Sequence, residues 1–563
     1  MNNSISNTRT RAQESSGAIE RLYVTMRHLF SRGYYKPMGS SGETLIEALL
    51  MLQPEIYGSI SEKKMELNGL LYITERLPIG IELCQFINLT ADEGDLKLSF
   101  ESIVPQKRRR NCYRIDEDLM HIEITRGKSD IYDVITHLTF LCIESHKLMR
   151  RVLNKDDEGT DYNREWLYLQ TIVSNLKGLS HKKRDVAFVH LGRLLGRTFE
   201  EVKKAHKDFA LPNQPDRFFT FVYDLGNTAI AEETEGKERM ITFSELLREQ
   251  LGHHVYGEIW ARNVHKKLFE KGYIKRPIHI ISANMHSVLN TLYAKKALGA
   301  SVASLDAIAL YEKLSDGAND SLREKVKRYS QKHGLTYIKD HSGANINVQL
   351  IDTAALEFQD IPKFKGLPTE EKPVIVVMDY AFGEQAYETM EELLKPYYTE
   401  GASCFLNVVS VSIMGKAGIL EGGKGDIMIP SAHVFEGTAD NYPFTNQLSA
   451  TDFKEEGLHV SEGSMITVLG TSLQNKEVLK FFYESTWNVI GLEMEGAHYQ
   501  KAIQAAAKIR GNISEDVQVR YAYYASDNPL ETGSTLASGG LGTSGVRPTY
   551  VITQKIINQI IKN

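Results

Sequence analysis

Apolar residues recur at three- and four-residue spacing from Ile19 through Leu22, Tyr23, Met26, Leu29 and Phe30, until Gly33 stops the run, and this predicts an amphipathic helix. The signature returns over Thr44–Leu52, which ends before Pro54, over Ile131–Leu153, and over Glu165–Leu176 and Val186–Leu195. Residues 18–209 therefore read as a helical domain, interrupted by a short β excursion around Leu96–Val104. Near Asp216 the pattern changes. Phe218–Tyr223 reads as a strand and Phe243–Lys271 as a long helix closed by Gly272. Apolar runs then alternate with helical ones: Ile278–Ser282, a helix through Ala297, Ser301–Ala309, Ile346–Ile351, and Val374–Met378 with a helix through Leu394. Cys404–Ile413, Asp426–Ile429, Met465–Leu469, Val489–Leu492 and Val517–Tyr524 follow. Such alternation predicts an α/β domain over 216–563, largely a parallel sheet covered on both faces. Ligands of such sheets collect at the carboxyl ends of strands. Pro362–Pro373 reads as an exposed connector and Gly533–Gly545 as a Gly/Ser/Thr loop able to close over a ligand.

Composition narrows the class. A chain of 563 residues exceeds one average domain. Its 66 basic and 72 acidic residues nearly cancel to −6, against the broad positive field of a protein that coats nucleic acid. Cys84, Cys112, Cys142 and Cys404 lack disulfide or zinc spacing, which fits the cytoplasm. Residues 1–17 are polar and read as a mobile segment; no apolar run reaches membrane-spanning length.

Three short constellations carry chemistry. Met414-Gly415-Lys416-Ala417-Gly418-Ile419-Leu420 follows an apolar strand and precedes Gly425-Asp426-Ile427-Met428-Ile429-Pro430; its glycines let backbone N–H groups approach an anion or a sugar oxygen. Gly491-Leu492-Glu493-Met494-Glu495-Gly496 places two carboxylates where an apolar run ends. Tyr523-Tyr524-Ala525-Ser526-Asp527-Asn528-Pro529 adds a third carboxylate at the end of the next. Three acids in one cleft suit cleavage of an N-glycosidic bond, where positive charge grows on the ribose and negative charge on the departing base.

Strand, G-x-A-G-x-L, G-D-I-x-I-P, E-M-E-G and a strand ending in S-D, in that order, resemble the purine nucleoside phosphorylase and nucleosidase superfamily. Val374–Leu394, with Tyr380-Ala381-Phe382-Gly383-Glu384, resembles the strand, glycine turn and helix that precede the family's loop, and the match runs from about Ile278 to the C-terminus. The resemblance implies a three-layer α/β/α domain. It also implies Asp527 as the general acid on the purine, oriented by Ser526, with Glu495 on the ribose hydroxyls, Met494 beneath the ribose and Glu493 beside the pocket. Ala417, Gly418 and Lys416 would meet the sugar, the nucleophile or a substrate phosphate. Ser282, Asn284 and His286 stand where the family's first strand delivers anion ligands, without its glycine and arginine. Lys416 replaces a hydroxyl residue and Ile413 an arginine of the phosphorylases, so water and phosphate both stay open as nucleophile. The family implies a homo-oligomer acting on a purine nucleoside or nucleotide, with no metal or organic cofactor and phosphate at most as co-substrate. The rival is a catalytically silent nucleotide sensor.

Other patterns have plainer readings. Gly418–Lys424 fits a phosphate loop, but Gly425 stands where Ser or Thr is needed. His253, His254 and Glu258 read as a solvated helix face, and Lys107-Arg108-Arg109-Arg110 as a solvated basic run. Leu191–Val202 resembles the turn of a helix-turn-helix, which ordinary helical packing explains as well. His433, Phe435 and Tyr442 are candidates for stacking on a base.

Overall fold

The computed structural model describes residues 11–92, 94–108, 110–156, 159–356, 364, 366–399, 401–438, 440–531 and 542–561. The chain divides into two compact units. The first comprises the residues up to Ile124 with Asp130–Gly252 and Ser472–Asn475; the second comprises Thr125–Ser129, His253–Thr471 and the chain from Lys476 onward. Among the described residues no helix is long and apolar enough to cross a membrane.

The first unit mixes helices with strands: β1 (Tyr34–Tyr35), β2 (Phe86–Thr90), β3 (Cys112–Arg114), β4 (Leu119–Glu123), β5 (Leu153–Asp156), β6 (Gly159–Tyr162) and β7 (Met240–Phe243). Five of them pair in the order β1-β7-β2-β4-β3, and β5 and β6 form a separate hairpin. Helices still make up most of this unit, but the five-stranded sheet adds to the expected helical domain. The strands span two to five residues, too few for a period of two to stand out beside long helices. Leu96–Ser99 is a helical turn rather than β. Phe218–Tyr223 lies inside the helix Arg217–Glu235, because its aromatic residues continue a buried stripe through Leu225, Ala229 and Ile230. That helix and β7 carry this unit to Gly252, past the expected boundary at 209. Helix also begins at Arg11, inside the segment expected to be mobile.

The basic run is another correction. Arg110 is buried and bonds to Asp130 and Asp133, and Arg108 bonds to Asp133 at 3.0 Å, so these cations are internal ties. Arg109 lies outside the described residues. The residues likened to a helix-turn-helix form a helical hairpin, His181–Leu195 and Phe199–Phe209, turned at Gly196 and capped by Thr198 with Glu201. Buried Leu191, Leu194, Leu195 and Val202 account for it by packing.

The second unit holds β8 (Ile278–Ser282), β9 (Leu335–Ile338), β10 (Val348–Asp352), β11 (Val374–Met378), β12 (Tyr397–Thr399), β13 (Ala402–Cys404), β14 (Val408–Ile419), β15 (Ile427–Phe435), β16 (Asn441–Pro443), β17 (Val460–Thr467), β18 (Val489–Glu493) and β19 (Gln518–Asp527). β8 pairs in parallel with β11 and β14, while β10 and β9 extend the β11 edge antiparallel. At its other end the sheet closes on itself. β14 pairs with β19 and β18, β19 with β15, β15 with β17, and β17 with β18, which completes a ring of five strands. The twelve-residue β14 belongs to both parts, long enough to serve the open sheet with its first half and the ring with its second.

Side chains of β11 alternate between two apolar cores. Val374, Val376 and Met378 meet Trp260, Met390 and Tyr499, whereas Ile375 and Val377 meet Val288, Leu292 and Val551. Each burial contributes roughly 1.5–3 kcal/mol relative to exposure, and the double burial explains an apolar run without polar alternation. Two other expectations change. The long helix Phe243–Lys271 is broken between Glu245–Gly252 and Val255–Glu270, where His254 takes φ 56°. Ser301–Ala309 is a short 3-10 turn followed by the helix Ala307–Ser315, capped by Asp306. The connector is only partly described, with buried Phe364. Of the Gly/Ser/Thr loop, residues 533–541 lie outside the described residues, and Gly542–Gly545 forms a turn leading into the helix Val546–Ile561.

Candidate active site

The three constellations meet where β14, β18 and β19 end. Gly418 pairs with Leu492 of β18 on one side and with Asp527 of β19 on the other. Ser526 is buried, and its hydroxyl donates to the Ala417 carbonyl at 3.1 Å and lies against Asp527 Oδ1. Asp527 is only 5% exposed, and its Oδ2 has no hydrogen-bond partner among the described residues. Burial raises the Asp527 pKa, opposed by the Ser526 hydroxyl and by the charges of Lys416 and Lys424.

E-M-E-G divides its labour. Glu493 is buried and accepts from the N–H groups of Glu495 and Gly496, satisfying orphan donors of the helix Gly496–Gln504; the Thr467 hydroxyl completes its contacts. Burial and the neighbouring Glu495 push the Glu493 carboxyl up to about 8. Gly496 is glycine for space, since a Cβ there would lie 2.2 Å from Cδ2 of the buried His433. Glu495 is half-buried. Its Oε1 accepts from the Gly383 N–H at 3.0 Å, and burial holds its pKa near 7 against the Gly383 and Met494 amides and the charge of Arg126. Met494 is half-buried beside the same turn, its Cε 3.9 Å from where a Cβ on Gly383 would stand.

Lys416 is exposed on β14 and borders a cavity of about 460 Å³ together with Asn284, His286, Arg323, Tyr524 and Tyr550. Asp527 and Glu495 do not line that cavity. Asn284 caps the helix Met285–Leu298 by accepting from the His286 N–H, and His286 is exposed. Ser282 differs from expectation: it is buried, its hydroxyl bonded to Tyr499 at 3.0 Å, so it serves the core. His433 is likewise a core residue, fully buried against Phe444, Tyr521 and Tyr523, and burial lowers its pKa to about 3. Phe435 and Tyr442 stay half-buried and meet edge to face at 6.0 Å.

Motif reading missed Arg126 and Thr467, and took Gly383 as a turn glycine without its bond to Glu495; all three bear on the site from distant parts of the chain. It also missed Glu436, a buried carboxyl one residue past β15 with Oε1 unpartnered among the described residues. Burial raises it from 4.5 to about 8. The folded state keeps this proton where the unfolded chain releases it, so its contribution to stability is lost as pH rises from about 4.5 to about 8. Glu436→Gln removes the linkage. Its melting temperature relative to the parent should improve by about 2 °C or more between pH 5 and pH 8; an equal difference at both pH values would refute this.

His254, Glu391 and Glu392 bring ligand-type atoms within 4.8 Å of one another. They form an ion-pair cluster, with His254 and Arg510 on Glu391 and Lys395 on Glu392, so His254 does not sit on a solvated face. The Glu391 carboxylate raises the His254 pKa.

No curated protein matches this sequence. Solved structures similar to it include the methylthioadenosine/S-adenosylhomocysteine nucleosidase of Campylobacter jejuni, 13% identical over 50% of this chain and 97% of that one, with a TM-score of 0.30. Futalosine hydrolase of Helicobacter pylori is 12% identical over 51% and 99%, with a TM-score of 0.31. A model of a family of unknown function, DUF6909, matches residues 43–300 and 307–562, and the chain belongs to that family.

Proposed function

We propose that the second unit cleaves the N-glycosidic bond of a purine nucleoside or nucleotide, with Asp527 as general acid. The observation that carries this reading is Asp527 itself: a buried carboxyl, raised in pKa, with one oxygen unengaged among the described residues, at the strand ends near which Glu495 also lies. A neutral acid there protonates the departing base, and the Ser526 hydroxyl fixes which oxygen faces it. Glu495 accepts hydrogen bonds from ribose hydroxyls and stabilises the positive charge of an oxocarbenium-like transition state, while Met494 packs below the sugar.

Lys416 links nucleophile and acid. Its charge lowers the Asp527 pKa against the larger effect of burial, so an anion bound beside it, whether phosphate or a substrate's own phosphate group, screens that charge and shifts Asp527 further toward the neutral acid. Ala417 and Gly418 add backbone contacts to the sugar or nucleophile. Free base released from a panel of purine nucleosides and nucleotides, with and without phosphate, tests the reading and separates hydrolysis from phosphorolysis. No release across the panel, with ligand binding that survives Asp527→Asn, would overturn it in favour of a nucleotide sensor.

A further inference from the structure

Residues 125–129 lie far before the rest of the second unit in sequence, yet they belong to it. They seat on the turn that follows β11. The Arg126 guanidinium stands over the Phe382 ring, 4.9 Å from its centroid. Ser129 Oγ accepts from the Glu384 N–H at 2.9 Å, Lys128 lies 3.8 Å from the Glu384 carboxylate, and Asn345 donates to Thr125 at 3.0 Å. Two glycines in the left-handed region allow the approach. At Gly127 (φ 80°) a Cβ would lie 3.2 Å from the Gln385 nitrogen, and at Gly383 (φ 55°) one would lie 2.4 Å from Ser129 Oγ. Gly383 is also the residue whose N–H holds Glu495. A single turn thus carries Arg126 beside it and grips Glu495.

We infer that Arg126 is a positioning residue for Glu495: a cation anchored on Phe382, beside the Gly383 amide that holds the Glu495 carboxyl, whose charge favours the form that accepts hydroxyl hydrogen bonds. The ribose role of Glu495 rests on the function proposed above; the charge relation stands without it. Among the described residues, the groups that bear on Glu495 include Glu493 on β18, Tyr499 one turn into the following helix, Tyr523 on β19, the Gly383 and Met494 amides, and Arg126. Glu493, Tyr499 and Tyr523 offer the anion no positive charge. Arg126 supplies it from a half-buried position, where solvent screens less than at the surface.

The test titrates Glu495 by infrared difference spectroscopy in the full chain, its carboxyl band assigned by its loss in Glu495→Gln. The parent midpoint should fall near 7. Arg126→Met should raise it by about one unit or more, and Arg126→Lys should leave it near the parent value. An unmoved midpoint in Arg126→Met, or an equal rise in Arg126→Lys, would overturn the inference. Because this readout needs no turnover, a parent that releases no base would fail the proposed activity and leave the charge relation to be judged on its own. In a parent that does release base, Arg126→Met should raise KM about fivefold or more at pH 7 and recover toward pH 9 as Glu495 ionises. A pH dependence identical to the parent's would count against it.

Discussion

Asp527→Asn is expected to lower kcat/KM for base release by about 10²–10⁴-fold, the usual worth of a positioned general acid. The substitution keeps shape and volume, and Ser526 can still donate to the Oδ1 position. What disappears is the proton, because an amide cannot pass one to the leaving base. Substrate KM should change little, which separates loss of an acid from loss of a binding group. The decisive comparison uses two substrates, one with an ordinary purine and one whose leaving group departs as a stable anion without protonation. The variant should recover most of its rate on the second. Equal losses on both would assign Asp527 to binding or structure instead.

Gly491→Ala is expected to cost about 3 kcal/mol or more of stability in the second unit. A Cβ at this position would stand 2.4 Å from Met428 Sδ, 2.5 Å from the Gly418 carbonyl oxygen and 3.1 Å from Met465 Sδ. A methionine can swing aside, but the carbonyl cannot, because Gly418 is pinned between Leu492 and Asp527 by strand pairing. The added methyl must therefore force β14 and β18 apart at the place where Glu493, Glu495 and Asp527 are gathered. Urea unfolding should show a clear drop in midpoint, together with reduced ligand binding. Gly423→Ala is the control: nothing lies within 4 Å of its Cβ position, and the change should stay within about 0.5 kcal/mol. Similar midpoints for the two variants would refute the packing argument.

Much of the second unit was legible because its strands are buried on both faces. Ile278–Ser282 and Val374–Met378 read as unbroken apolar runs and are strands at those bounds. The ring of five strands was not legible. Runs such as Val489–Leu492 specify a strand but not its partners, and two strands of the ring reach β14 only through long-range pairing. In the first unit the aromatic cluster at Phe218–Phe221 looked like β because bulky residues favour strands, yet its spacing with Leu225 and Ala229 let tertiary packing choose a helix. Arg108 and Arg110 looked solvated because charge alone says nothing about partners twenty residues away; Asp130 and Asp133 supply them.

By itself, the sequence determined the chemistry on offer: a glycine-rich strand end, E-M-E-G and S-D, each placed where an apolar run stops and the chain must leave the core. Local physics suffices for that, since glycines, caps and acids at strand ends are short-range features. Only the tertiary structure decided what each group does. It spent Glu493 on helix N–H groups and Ser282 on Tyr499, left an oxygen of Asp527 unengaged among the described residues, and brought Arg126 to the turn that holds Glu495. Burial and distant charges set ionisation and engagement, and both depend on contacts between residues that the linear order keeps far apart.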